Sequence, residues 1–388
     1  MQTSTDTPAA AAPAAAPDRA GAKRLPLLDV LRGVAILGTL GTNIWVFASP
    51  SSEAGLLLGQ EAIGETALGT VFAFLANGKF ISMLTLMFGV GLAIQYRSAA
   101  KRGRRWPGRY HWRALFLFVE GAVHFTLVFA WDVLMGYAVA AIVVAWTLNR
   151  SRRFQRALMW THLALHLAIM GLITAALFLV QGSGPERDRS LEELYASGSW
   201  IDQVLFRLDN AVVFRLELVV AFPMMIFLFL AGAELFRAGA FGEDEKARAL
   251  RRRLLRWGLG VGAPLTAVLM AGPSELFFLE RYVAAPFLAV GYIGLTGWIV
   301  DHVRRGPLMN GLSSLGRAAL SGYLLQNLLA SAVCYGWGLG LAARFGGSAW
   351  FAGALWLAIG LVLVVGARLW MSRFSTGPAE MLQKTLVR

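Results

Sequence analysis

The chain has 388 residues, of which 57% are hydrophobic and only 15% are charged. This balance excludes a soluble globular protein, because the polar residues could not cover the surface of such a chain. The formal net charge of +13 is also compatible with a nucleic-acid-binding protein. The basic residues lie almost wholly between apolar runs, however, which favours a membrane protein with lipid partners and no nucleic acid.

The first residues differ in composition from the rest of the chain. Residues 1–22 are rich in Ala, Pro, Thr and Asp and poor in large apolar groups, which predicts a disordered tail. Residues 23–388 are predicted to form a single transmembrane domain. The apolar run that begins it contains Asp29 and Arg32, unlike a cleaved signal peptide, and is predicted to be a retained first helix.

Ten apolar runs of about 20 residues each match the hydrocarbon thickness of a bilayer. Because the runs are continuous and rich in Leu, Ala and Gly, they predict helices rather than the short alternating strands of a membrane barrel. The fold class is therefore all-α, a polytopic bundle of about ten transmembrane helices. The predicted spans are 27–48, 71–96, 114–130, 132–148, 157–181, 208–236, 255–271, 281–300, 318–340 and 349–370.

Lysine and arginine are concentrated in alternate loops. One set of segments holds 28 of the 36 basic residues, and it comprises 1–26, 97–113, 149–156, 237–256, 301–317 and 368–388. Because cytoplasmic loops retain Lys and Arg, this alternation predicts that both termini are cytoplasmic. The densest segment, 97–113, contains two Trp and a Tyr. It is typical of an interfacial loop, and binding of cofactor or lipid phosphates is the alternative.

The first span carries a polar stripe that must face protein or water. Asp29, Arg32 and Asn43 lie on one face at helical spacing. Asp29 and Arg32 are predicted to form a structural ion pair, or else Arg32 holds a phosphate or carboxylate of a cofactor with its forked guanidinium. These three residues are the candidate cofactor contacts.

Glu120 and His124 form an i, i+4 pair on the third span, and Asp132 follows in the next turn. Histidine exchanges protons near neutral pH, and a neighbouring carboxylate would orient it. The three are the candidate catalytic residues, although a purely structural hydrogen bond by His124 is the alternative. No third ligand accompanies any histidine pair, so no metal site is predicted.

Further polar residues within or beside the spans are candidates for lining a substrate cavity. Charges at bilayer depth are costly and need partners, water or a function. Arg207, Asn210 and Glu217 would share an arc of about 80° if they lay on one helix. The alternatives are ion-paired helix ends and hydrogen bonds between helices. The candidates are Lys79, Arg207, Asn210, Arg215, Glu217, Tyr323 and Asn327.

Six motifs follow one another along the chain. They are RLPLLDVLRGVAILGTLGTN (24–43), GKFISMLTLMFGVGLAIQYR (78–97), EGAVH (120–124), WDVLMGYAV (131–139), GRAALSGYLLQN (316–327) and RFSTGPAEMLQK (373–384). In this order they resemble the motifs of the YeiB-like family of bacterial membrane proteins. The resemblance implies that the C-terminal half, about 208–388, is the family's domain of unknown function.

The opening motif is also similar to that of membrane acyltransferases that acetylate O-antigen or heparan glucosamine. This similarity implies transfer of an acyl group, expected to be acetyl, from cytoplasmic acyl-CoA to an acceptor on the outer side by a membrane histidine. His124 would be that histidine, and Arg32 the arginine of the opening motif. The acceptor would be a hydroxyl or amine on a small glycan or lipid. The alternative function is transport or binding of a small molecule or lipid, with Glu120, His124 and Asp132 relaying protons.

Overall fold

The computed structural model describes residues 25–57, 66–179 and 189–387. The predicted disordered tail, residues 1–22, lies outside these ranges. The helices are α1 Pro26–Ala48, α2 Ser52–Leu57, α3 Ala67–Ala76, α4 Lys79–Lys101, α5 Tyr110–Leu127, α6 Leu134–Leu148, α7 Arg152–Leu179, α8 Arg189–Ala196, α9 Trp200–Asp209, α10 Ala211–Arg237, α11 Glu245–Ala271, α12 Phe277–Leu279, α13 Ala285–His302, α14 Pro307–Arg317, α15 Ala319–Cys334, α16 Leu341–Phe345, α17 Ala349–Arg373 and α18 Pro378–Leu386.

Among the described residues, seven helical segments are long and apolar enough to cross a bilayer. They are Pro26–Ala48, Ala67–Lys101, Arg152–Leu179, Ala211–Arg237, Glu245–Ala271, Ser274–His302 and Ala349–Arg373. The apolar helices α6 and α15 are shorter, and α5 has 18 residues including a carboxylate. Together they correspond to the ten predicted spans, and the described residues contain no β-strand. The protein is a multi-pass, all-α membrane protein.

Helix α1 lies at the centre of the bundle, where it contacts α4, α14, α15 and α17. Nearly all of its side chains are buried, so a helix with few charges suits the position. We call the end of the bundle that carries residues 97–113 the basic end. The sequence predicts that this end faces the cytoplasm.

The segment 301–317, predicted to be a loop, contains α14, which packs tightly against α1. Glycines make this approach possible, because a Cβ on Gly33 would overlap the Leu312 carbonyl and a Cβ on Gly316 would overlap the Asp29 carbonyl. The helix was not predicted because it is amphipathic and short, which an average over hydropathy does not detect.

The second predicted span, 71–96, is broken rather than continuous. Helix α3 ends at Ala76 and α4 begins at Lys79, with Gly78 between them in the left-handed region at φ 72°. Glycine adopts that conformation without steric cost. The break brings the Asn77 and Lys79 side chains together at the end of the bundle opposite the basic end.

The predicted sixth span begins at a second break. Arg207 lies on α9, the chain turns at Asn210, and Glu217 lies on α10. The single arc predicted for these three residues is therefore wrong. The Asn210 amide instead donates a hydrogen bond to the Phe206 carbonyl (2.9 Å) and closes the last turn of α9.

Candidate functional site

His124 and Asp132 form a buried pair where α5 turns back into α6. Nδ1 of His124 lies 2.8 Å from Oδ2 of Asp132, and the two residues are 3% and 1% exposed. The other Asp132 oxygen, Oδ1, accepts the backbone N–H of Leu134 at 2.8 Å. The carboxylate therefore caps the start of α6 and orients the imidazole of α5 at the same time.

Helices α15 and α1 complete the surroundings of this pair. The Tyr323 hydroxyl donates to Asp132 Oδ2 (3.3 Å), and the Asn327 amide nitrogen lies 3.4 Å from His124 Nε2. Asn43 on α1 donates to the Asn327 side-chain oxygen at 3.2 Å. We call Asn43, His124, Asp132, Tyr323 and Asn327 the central cluster.

The geometry of the central cluster fixes what His124 can do chemically. A carboxylate only accepts, so Nδ1 carries the proton and donates it to Asp132, which leaves the lone pair on Nε2. Nε2 is held only by a long contact to Asn327. An imidazole in this state can accept a proton from a bound molecule.

Arg215 supports the turn between α5 and α6 from outside the central cluster. Its guanidinium donates to the Asp132 carbonyl at 2.9 Å and also to the Ala130 carbonyl. Its Cζ atom lies 4.1 Å from the centre of the Phe125 ring. Arg215 thus holds the backbone on which Asp132 is placed.

A groove of about 540 Å³ leads to His124 between α5, α15, α17 and α18. On α15 its lining extends from Ala318 to Leu328, a length of about 15 Å at the rise of an α-helix. Several lining residues are exposed on the outer surface of the bundle, among them Val123 at 52% and Leu325 at 42%. The groove therefore extends from the basic end to His124 and is open sideways toward lipid.

Glu120 lines this groove one turn before His124. Its Oε2 atom is buried and has no hydrogen-bond partner among the described residues. Asp132, and not Glu120, is the hydrogen-bond partner of His124. The structure thus separates two acids that the sequence left as equivalent alternatives.

The three candidate cofactor contacts do not form one site. Arg32 Nη1 lies 4.0 Å from Asp29 Oδ1 near the basic end, and 31% of the Arg32 side chain is exposed. Asn43 lies eleven residues further along α1 and belongs to the central cluster. The polar stripe of α1 thus contributes Asp29 and Arg32 to the basic end and Asn43 to the central cluster.

Arg207 belongs to a buried cluster at the end opposite the basic end. Its guanidinium donates to both carboxylate oxygens of Glu53 at 3.0 and 3.2 Å, and these two residues are 1% and 0% exposed. Glu53 also accepts the Tyr335 hydroxyl (2.8 Å) and the Ala130 N–H (2.9 Å). Because each Glu53 carboxylate oxygen already accepts two hydrogen bonds, this cluster serves to join helices.

Lys79 and Glu217 lie in a further cluster at the same end. Lys79 is fully buried and pairs with Glu280, which also accepts the Asn77 amide at 2.7 Å. Arg281 pairs with Glu217 at 3.2 Å. Lys79, Arg207 and Glu217 therefore have partners in the protein, whereas Tyr323 and Asn327 adjoin His124.

Sequence reasoning missed three acidic residues that organise the fold. Glu53 and Glu280 were not singled out, since a carboxylate near a span end resembles an ordinary loop residue. Glu380 on α18 accepts the Leu320 N–H (2.9 Å) and the Ser321 hydroxyl (2.6 Å) at the start of α15. Only the motif GPAE, a helix start with an acid in its first turn, could have indicated it.

The described residues contain no group of three or more His, Cys, Asp or Glu placed to hold a metal ion. His162, half-buried on α7, donates a hydrogen bond from Nδ1 to the Leu158 carbonyl at 2.9 Å. His166, also on α7, lies 3.0 Å from the Tyr282 carbonyl through Nε2. Both histidines thus bind backbone carbonyls.

Comparisons with known proteins find a family model over the C-terminal part of the chain and relatives over most of its length. Residues 235–388 match the family described as "Protein of unknown function (DUF418)". The chain is 27% identical over 388 residues to "Uncharacterized protein YxaH" of Bacillus subtilis (strain 168), covering 94% of each chain. It is 29% identical over 332 residues to "Uncharacterized protein YeiB" of Escherichia coli (strain K12), covering 80% of this chain and 84% of that protein. No solved structure matches the chain.

Proposed function

We propose that this chain, a YeiB-like membrane protein, transfers an acyl group from acyl-CoA on the cytoplasmic side to a hydroxyl or amine acceptor. The observation that carries the proposal is the buried His124–Asp132 pair at the inner end of a groove from the basic end. The protein would lie in the bacterial plasma membrane with both termini cytoplasmic, as the distribution of Lys and Arg indicates.

The chemistry assigns one role to each member of the pair. Nε2 of His124 takes the proton of the acceptor while the acceptor oxygen or nitrogen attacks the thioester carbon. The new bond to carbon forms, the carbon–sulfur bond breaks, and the leaving thiolate receives the proton from His124. Asp132 holds the imidazole in the reactive tautomer and stabilises its charged form.

Asn327 supplies a donor beside the reacting atoms. Its side-chain N–H group lies next to His124 Nε2. The thioester would react beside this nitrogen, so its oxygen, on which negative charge develops, would lie within reach of the Asn327 N–H group. A donor fixed in a dry site stabilises such charge more strongly than water does. Asn43 holds the Asn327 amide in this orientation through its hydrogen bond at 3.2 Å.

The test is transfer of a labelled acetyl group from acetyl-CoA to extracted bacterial membrane lipids and glycans in proteoliposomes. His124→Ala should abolish the transfer, because it removes the one imidazole of the central cluster. His162→Ala, on a helix away from the groove, is the matched control and should leave the rate unchanged. Size-exclusion profiles should show that both variants are folded.

Full transfer by His124→Ala would refute the proposed role of this residue. If the wild-type protein neither binds acetyl-CoA saturably nor transfers its acetyl group, the acyltransferase proposal fails. Proton-coupled transport of a small molecule or lipid would then be the function to examine.

A further inference from the structure

A second cavity, of about 680 Å³, lies at the basic end beside residues 94–113. Its lining includes Trp106 and Tyr110, and none of the described residues that line it is acidic. We call it the arginine pocket. Five arginines line it: Arg102, Arg104, Arg105, Arg109 and Arg113.

The segment that carries these arginines is held in a defined shape. The Trp106 indole donates a hydrogen bond to the Ala145 carbonyl on α6 at 2.7 Å. Its ring packs against Tyr96 and Tyr110 at centroid distances of 5.5 and 5.7 Å. A loop that served only to retain positive charge would need no such anchoring.

Most of these arginines have no acidic partner within the parts of the chain that the structure describes. Arg113 donates to the Gln95 and Gln383 amide oxygens at 2.9 and 3.3 Å. Elsewhere at the basic end arginines do meet acids, as Arg251 does with Asp301 at 2.6 Å. Five guanidinium groups around one acid-free cavity repel each other, and a bound polyanion would relieve that repulsion.

We propose that the arginine pocket binds the pyrophosphate of a nucleoside diphosphate group. Guanidinium forks match the geometry of phosphate oxygens in bidentate hydrogen bonds. Trp106 and Tyr110 line the same pocket, and aromatic rings are the side chains on which nucleobases stack. Phosphate is shared with anionic lipid headgroups, but a headgroup gains nothing from the aromatic wall.

This inference rests on the proposed function, because a coenzyme A thioester carries a nucleoside diphosphate group at one end. Helix α5 connects the two cavities: Arg113 lines the arginine pocket and Glu120 lines the groove, about 10 Å further along the helix. Helix α18 does the same, because Ala379 lines the groove and Val387 lines the pocket. The nucleotide end of the donor would occupy the pocket and its acyl arm the groove.

This assignment replaces Arg32 as the main phosphate contact. Arg32 has a carboxylate beside it in Asp29, and it does not line the arginine pocket. A phosphate would have to compete with that carboxylate at Arg32, whereas no acid is among the described residues that line the arginine pocket.

The experiment is calorimetric titration of ADP and of inorganic pyrophosphate into the full chain in phosphatidylcholine nanodiscs. ADP should bind saturably, and more weakly as salt rises. The triple variant Arg104→Gln, Arg105→Gln, Arg109→Gln should raise the Kd for ADP at least about tenfold, since charge-assisted contacts are lost. All three side chains lie in a loop outside the spans, so the fold should be retained.

The matched control removes the same charge from the neighbouring basic segment. Arg150→Gln, Arg153→Gln, Arg156→Gln alters three exposed arginines and should leave the Kd within about twofold. Equal weakening by both triple variants would show general attraction and overturn the proposal. Absence of ADP binding, with arginine-dependent binding of phosphatidylglycerol, would make the pocket a headgroup site and also overturn it.

Failure of the pocket can be distinguished from failure of the acyltransferase proposal. ADP binding that depends on the arginines, without acyl transfer, would support the pocket and refute the acyltransferase proposal. If the triple variant of Arg104, Arg105 and Arg109 transferred acyl groups at the wild-type rate, the proposal for the arginine pocket would be refuted and the acyltransferase proposal would stand. His124→Ala should bind ADP as tightly as the wild-type protein in either case.

Discussion

Asp132 uses its two oxygens for different partners, one on each helix of a hairpin. Oδ2 accepts from His124 and Oδ1 from the Leu134 N–H. The hydrogen bond from the Leu134 backbone N–H thus fixes the position of the carboxylate that orients the imidazole. Such support from a second residue determines which nitrogen of a histidine is free to react.

Asp132→Asn separates these two tasks. The Asn side-chain oxygen can still cap α6, but its N–H group would face Nδ1 and force the imidazole proton onto Nε2. We expect kcat to fall by about 10²-fold or more, as for loss of a general base, with little change in the KM for acetyl-CoA. The measurement is the same proteoliposome assay.

Asp209→Asn, on the exposed end of α9, is the control for the loss of one carboxylate. It should behave as the wild-type protein. A normal kcat in Asp132→Asn would mean that the tautomer of His124 does not limit the reaction.

Part of the site could be predicted from residue spacing. The sequence places Glu120 and Asp132 near His124 but leaves open which acid orients the imidazole, and in the structure it is Asp132. Tyr323 and Asn327 were assigned to a cavity, but their contact with His124 depends on how α15 packs. Tertiary contacts of this kind leave no periodic signal in a single sequence.

At the scale of helices, the Glu53–Arg207 pair joins elements that are distant in the chain. Glu53 lies on α2 and Arg207 on α9, and the Tyr335 hydroxyl adds the end of α15. The pair is nearly inaccessible to solvent. A charge left alone in such a place is costly, because the low dielectric neither solvates nor screens it.

Glu53→Gln should therefore destabilise the fold by about 3 to 5 kcal/mol by leaving the guanidinium unpaired. The measurement is the apparent midpoint of thermal unfolding in detergent. The double variant Glu53→Leu, Arg207→Met should recover part of the loss, because no buried charge remains. A single variant that unfolds at the wild-type temperature would contradict this account.

The helix breaks at Asn77–Gly78 and at Asn210 show what hydropathy does not report. An average over about 19 residues finds apolar length, and both predicted spans have it. It carries no information on backbone direction, so a left-handed glycine or a capped turn within an apolar run is missed. All ten predicted spans nevertheless have corresponding helices, since apolar length is what a bilayer selects.

At the scale of the whole molecule, the position of the arginines predicts which way the bundle faces. Cys334 is the only cysteine and is fully buried, so Cys334→Ala gives a background without reactive thiols. In intact cells, a membrane-impermeant maleimide should label an added Ser197→Cys. It should label an added Ala100→Cys only after permeabilisation, because the distribution of Lys and Arg predicts that the basic end faces the cytoplasm.

Labelling of Ala100→Cys in intact cells would show that the bundle has the opposite orientation to the one predicted. The arginine pocket would then lack access to cytoplasmic nucleotides, and the proposed direction of transfer would be wrong.

The sideways opening of the groove has a consequence for how the protein is handled. Detergent tails resemble lipid tails, and Val123 and Leu325 expose the rim of the groove to whichever amphiphile surrounds the bundle. A micelle therefore supplies a competing occupant at far higher concentration than any substrate. Turnover measured in micelles should therefore be lower than turnover in a bilayer, and the measured rate should depend on which detergent is used for extraction.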